Sequence, residues 1–159
     1  MRKASLWIFV CVFCLPVMAQ PGSEQERNKA IARRFFEEVL DQGRLDKYAD
    51  SHAGDFVAHG DHDYTLEEDI AAAKEERKAL PDMHVKVTQI LAERDMVVVH
   101  WTASGTNTGV AMGFNATGKR ITVPGMTIFR FKAGKISEEW SVFDMASAMQ
   151  QAGLCSLQQ

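Results

Sequence analysis

The hydrophobic period of this chain changes once, at Pro81, and does not change back. Upstream, apolar residues recur at helical spacing. Downstream, they alternate with polar ones, as in strands that lay one face on a core. Ser23-Glu24-Gln25-Glu26 has the form of a capping box, and the helix it opens carries Ile31, Phe35, Val39 and Leu40 before Gly43 stops it. A short second helix presents Leu45, Tyr48 and Ala49, and residues 55–59 form a brief strand leading into a polar loop over 60–64. Thr65-Leu66-Glu67-Glu68 is a second capping box, opening a third helix that ends before Pro81. Strands then follow over 85–91, 97–104, 121–131 and 136–143, with Arg94-Asp95 and Ala133-Gly134 as turns. Pro124-Gly125 interrupts the third of these and predicts a bulge or bend. Asp144 is placed to cap a last short helix that Gly153 stops. Three helices followed by a long antiparallel meander predict an α+β domain: a curved antiparallel sheet, cone-shaped, with the helices covering a central pocket.

The amino terminus reads as a secretory leader. Arg2 and Lys3 precede an apolar run over residues 6–17, too short to span a bilayer, and Val17-Met18-Ala19 fits a cleavage site. The expectation is a signal peptide over 1–19, a single domain over 20–159, and a protein that is exported and either periplasmic or secreted. Cys11 and Cys14 leave with the leader, so Cys155 is alone in the mature chain and has no intramolecular partner. Arg2 and Lys3 leave too, which takes the formal charge from −3 to −5. That balance argues against nucleic acid or an anionic membrane as partner, and against stable membrane association after cleavage.

Several runs in the carboxyl half then come in a recognisable order. They are Gly105-Thr106-Asn107-Thr108-Gly109, Thr117-Gly118-Lys119-Arg120, Phe129-Arg130-Phe131-Lys132-Ala133-Gly134-Lys135-Ile136, Glu138-Glu139-Trp140-Ser141-Val142-Phe143-Asp144 and Gln150-Gln151-Ala152-Gly153. In these runs, in the first helix and in residues 55–59, the chain resembles the SnoaL-like polyketide cyclases (ester cyclases), over nearly all of the mature sequence. The resemblance implies the fold of nuclear transport factor 2 and ketosteroid isomerase, a cone-shaped α+β barrel with a central pocket. It also implies a pocket aspartate on the last strand acting as acid and base in an aldol closure. Ser141 stands in that aspartate's place, Thr127 in that of a pocket histidine and Ala58 in that of a pocket asparagine. His59 matches a histidine common in the family's short strand.

Proton transfer at carbon needs a carboxylate or imidazole held in an apolar pocket. Strand alternation puts Glu139 on the same face as Ser141, so His59, Glu139 and Asp144 are the candidate catalytic residues. Trp101, Thr127, Trp140 and Ser141 are the candidate substrate-binding residues, the two indoles suiting a ring-shaped ligand. His59, Asp61, His62 and Asp63 are rich in donor groups, but no further ligand pair stands out elsewhere. No metal and no cofactor are expected. The expected partners are a small hydrophobic, carbonyl-bearing molecule and a second copy of the chain, docked through the outer sheet face. Two functional readings stay open: an enzyme of cyclase, isomerase or hydrolase type, and a non-catalytic binding module of the same fold.

Overall fold

Ser23 accepts the Glu26 amide and starts helix α1, Glu24–Arg34. The computed structural model describes residues 23–110 and 113–155; the leader expected over 1–19 lies outside them. Helix α1 runs on into a π-helical stretch, Phe35–Asp41, whose wider winding buries the consecutive rings of Phe35 and Phe36. A 3-10 helix, Leu45–Ser51, leads into strand β1, His52–His59. Strand β2, Asp63–Thr65, pairs back on β1, so most of the predicted polar loop is a tight hairpin. Thr65 caps helix α2, Leu66–Ala79, with both halves of the capping box made: Thr65 Oγ1 accepts the Glu68 amide and Glu68 Oε2 accepts the Thr65 amide at 2.8 Å. Four long strands follow: β3 His84–Glu93, β4 Met96–Thr106, β5 Arg120–Lys132 and β6 Lys135–Phe143. Helix α3, Met145–Ala152, closes the described chain, with Gly153 left-handed at its end.

The six strands form one sheet in the order β2-β1-β6-β5-β4-β3. The predicted meander is present, β3 to β6 pairing antiparallel in sequence. The sheet is nevertheless mixed rather than purely antiparallel, because β1 pairs parallel with β6. The last strand of a meander leaves one edge open, and β1 fills it from the far end of the sequence. The register sets Ala58 beside Glu139 and His59 beside Trp140.

Burial along β5 alternates strictly, with Ile121, Val123, Gly125, Thr127, Phe129 and Phe131 inward. Phe129, Val97 and Val99 are fully buried under Phe35, Phe36 and Val39. Ala148 and Ala152 of α3 pack on Ile121 and Val123 in a smaller cluster. The expected bulge at Pro124-Gly125 is absent, since the β4–β5 ladder runs unbroken from Met96↔Arg130 to Thr106↔Arg120. Pro124 is tolerated because its carbonyl accepts from Asp144 N, which aims its missing N–H past the last β5–β6 pair, Gly125↔Phe143. Gly125 is needed because a Cβ there would lie 2.2 Å from Cζ2 of Trp101. The dipeptide makes room for an indole without interrupting the ladder.

Candidate active site

On β6, Glu139, Ser141 and Phe143 face the helices, while Glu138, Trp140 and Val142 face away. Ser141 is paired across the ladder with Thr127, and Trp101 is paired with Gly125 on the next strand. This geometry assembles a chain of hydrogen bonds across three strands. Trp101 Nε1 donates to Thr127 Oγ1 at 3.0 Å, Thr127 Oγ1 and Ser141 Oγ lie 2.7 Å apart, and Ser141 Oγ donates to Glu139 Oε1 at 2.6 Å. An indole N–H only donates and a carboxylate only accepts. The two hydroxyls between them therefore align head to tail toward Oε1. The other oxygen, Glu139 Oε2, is buried and has no partner. Burial, with the nearby charge of Asp69, pushes the Glu139 carboxyl up to about 7, while the Ser141 hydrogen bond pulls the other way.

Helix α2 forms the facing wall. Asp69, Ala72, Ala73 and Glu76 lie along one stripe at helical spacing, the alanines leaving the space that the acids border. Tyr48, buried on the 3-10 helix, donates its hydroxyl to Asp69 Oδ2 at 2.6 Å. Burial holds Tyr48 well above the ordinary phenol range. It also raises Asp69, against the Tyr48 bond, and Glu76, against the charge of Arg77. Between sheet and helices lies a cavity of about 940 Å³, walled by Phe35, Phe36, Leu40, Met83, Val85 and Trp101. Exposed Asp61, Val110, Gly113, Phe143 and Met145 stand at its opening. The volume is that of a site for a ligand of a few rings.

A sequence profile described as SnoaL-like polyketide cyclase matches residues 30–152. The chain belongs to that family. No functionally curated protein matches it. Among solved structures, AclR from Streptomyces galilaeus, provisionally assigned as a hydroxylase, is 25% identical. The alignment covers 83% of this chain and 88% of that one, with a TM-score of 0.75. A protein from Jannaschia sp. CCS1, provisionally assigned as a SnoaL-like polyketide cyclase, is 22% identical over 86% of this chain and 98% of its own, with a TM-score of 0.76. IdmH from Streptomyces antibioticus, provisionally a polyketide cyclase, is 23% identical over 79% and 98%, with a TM-score of 0.70. The last two likenesses concern the fold alone, a curved α+β sheet covered by helices.

In this SnoaL-like pocket, four of the sequence candidates converge: Trp101, Thr127, Ser141 and Glu139. His59 and Trp140 do not join them. The parallel pairing of β1 sets both on the outer face, with their rings stacked 4.6 Å apart. There His59 Nε2 meets Glu138 at 3.0 Å and Nδ1 meets Asp63 at 2.9 Å, and these bonds raise its pKa. Arg130 bonds Glu138 at 2.6 Å and lies over the Trp140 ring. Asp144 is exposed and caps α3, accepting the Ser147 amide at 2.9 Å. Asp61 reaches the opening, bonded to Tyr64 and His62, while Ala58 packs against the core. Among the described residues, no three or more His, Cys, Asp or Glu converge as metal ligands. Sequence reasoning missed Tyr48, Asp69 and Glu76. The available signal was the spacing of Asp69 and Glu76 on either side of two alanines, on a helix face that should otherwise be apolar.

Proposed function

We propose that this protein is an exported enzyme of cyclase or isomerase type that moves a proton at a carbon beside a carbonyl, in a small hydrophobic compound, with Glu139 as its base and acid. The observation that carries this reading is the asymmetry of Glu139, a residue that lines the cavity: one oxygen is held by a directed chain of donors, and the other is buried and unpartnered. A carboxyl near 7 is part ionised at neutral pH and serves in both directions. The Glu139 carboxylate takes the proton from carbon, and the C–H electron pair moves into the enolate. The enolate carbon then bonds to a second carbonyl carbon, whose π pair becomes an alkoxide that takes the proton back from Glu139, or Glu139 returns the proton to another carbon of the enolate system; either way no outside reductant or oxidant enters. Ser141, which stands in the place of the family's aspartate, orients the base in place of acting as one. The Tyr48 hydroxyl is the donor in the same cavity that can turn from Asp69 to the enolate oxygen.

The test is deuterium exchange at the acidic carbon of 2-tetralone, followed by proton NMR. The native protein should exchange it faster than buffer, and Glu139→Gln should lose about 100-fold or more of that increment. Equal rates in the two proteins refute the assignment. A binding module is the second reading, favoured by the presence of Thr127, Ser141 and Ala58 where the resemblance places the working groups. It prevails if the native protein retains tetralone without exchanging it. Export rests on the leader character of residues 1–19, and an intact mass starting at Gln20 tests it. A homodimer through the outer sheet face is supported by an apolar row in register across four strands: Leu91, Val98, Ile128 and Trp140.

A further inference from the structure

We infer that the cavity takes a substrate carrying a protonated amine on an aromatic or polycyclic frame. This deepens the proposed function by naming the substrate class, and it rests on the same cavity being the active site. Among the described residues lining the cavity there is no Lys, Arg or His, and, besides exposed Asp61 and Glu75, which pair with His62 and Lys78, three acids border it: Asp69, Glu139 and the exposed Glu76. None of these three carboxyls takes part in an ion pair within 4 Å among the described residues. The cation nearest in sequence, Arg77, turns Nη1 and Nη2 to the backbone carbonyls of Met83, Leu40 and Asp41, and reaches Glu76 only through its charge. Tyr48, Phe36 and Trp101 add aromatic surface, on which cations are attracted to ring faces.

Each class of ligand meets this lining differently. A carboxylate would add a negative group beside Asp69 and Glu139, which burial already holds above their ordinary range. A neutral hydrocarbon would leave Glu139 Oε2 as it is now, buried and unpartnered. An ammonium supplies donors to that oxygen and opposite charge to all three carboxyls, with its hydrocarbon frame against the aromatic wall.

This arrangement links binding to protons. Burial holds the Glu139 carboxyl near 7, so at neutral pH part of it keeps a proton that a bound ammonium displaces, and burial pushes Asp69 and Glu76 in the same direction. The groups facing them are Tyr48 from the 3-10 helix, Glu75 and Arg77 from α2, Asp61 and Tyr64 from the β1–β2 hairpin, and the uncharged hydroxyls of Thr127 and Ser141 on the sheet. Affinity for an amine should therefore rise with pH until Glu139 has ionised, by up to about tenfold per unit.

Calorimetry with three probes on one ring system decides the matter: 1-naphthylmethylamine, 1-naphthylmethanol and 1-naphthylacetate, titrated into the full-length mature protein at neutral pH. The amine should bind about tenfold tighter than the alcohol, and the acetate weakest. Repeating the titration in buffers of different ionisation heat should show proton release for the amine and none for the alcohol. Glu139→Gln and Asp69→Asn should each shrink the amine-to-alcohol ratio, and circular dichroism spectra matching the native protein's show that the variants are folded. An acetate that binds as well as the amine, an amine no tighter than the alcohol, or no amine binding at all overturns the inference. If tetralone exchange stays dependent on Glu139 while the amine fails, proton transfer stands and the amine preference alone is refuted.

Discussion

Replacing Glu139 with Gln removes one titratable proton from the cavity and changes side-chain size very little. The native carboxyl is raised from its ordinary 4.5 to about 7. At about 1.4 kcal/mol for each tenfold change in an ionisation constant, that rise corresponds to a folding cost on the order of 3 kcal/mol once the group is ionised. The folded chain holds this proton more tightly than the unfolded chain does. Below the ordinary value both are protonated and the cost is absent. As pH rises toward 7 the unfolded chain ionises first and the cost grows; above 7 it is fully present. Glu139→Gln should therefore match the native protein within about 1 kcal/mol near pH 5 and exceed it by about 2–3 kcal/mol near pH 8. Urea unfolding of both proteins at several pH values, at fixed ionic strength, measures the difference directly. Asp69 and Glu76 titrate in both proteins, so their contributions largely cancel. A stability difference that stays flat across this range would show that Glu139 is solvated in the native protein, and the argument for it as a tuned base would fall.

Other perturbations separate the pocket from its surroundings. Gly125→Ala drives a methyl group into the Trp101 indole, so the urea midpoint should drop by an amount corresponding to about 1–3 kcal/mol; an unchanged midpoint would show that the indole is loosely held. Asp144→Ala should cost about 1 kcal/mol as a lost helix cap and leave the tetralone exchange rate alone, whereas a lost rate would restore a catalytic role. His59→Gln should also leave the exchange rate unchanged, because the imidazole is on the outer face. Its raised pKa means that it stabilises the native chain most on the acid side and less as pH rises through its folded value, so a stability gap that widens with pH would contradict the His59–Glu138 contact. Val98→Glu, in the middle of the outer apolar row, should convert a dimer to monomers in sedimentation velocity, and a native chain already monomeric at micromolar concentration would remove that interface.

Local chemistry made much of this structure legible. Both helix α2 and the meander follow from residues close together in sequence: the Thr65 box, the alternation through β5, and the Ala133-Gly134 turn. Because side chains alternate on a strand, Glu139 could be assigned to the face of Ser141 before any coordinates. His59 could not be placed that way. Its side depends on which strand edge β1 occupies and in which direction, and that choice is made by residues about eighty positions away. Pro124-Gly125 was ambiguous for a related reason: the dipeptide fits a bend equally well, and only the cross-strand neighbour Trp101 shows that space is what it provides. Tyr48 and Asp69 looked like ordinary core and surface residues of two separate helices until the fold joined them.

The parallel alliance of β1 with β6 also sets a schedule for synthesis. Strand β1 is made early, yet its neighbour is among the last segments to leave the ribosome, and Glu139 arrives on that same late strand. Long-range pairings of this kind form only after a large loop has been closed, which slows folding. Until then neither the cavity nor the donor chain behind its carboxyl exists, and a chain broken off before β6 would carry α1, α2 and the aromatic wall without Glu139 or Ser141. The carboxyl around which the cavity is arranged is thus installed in a single late step.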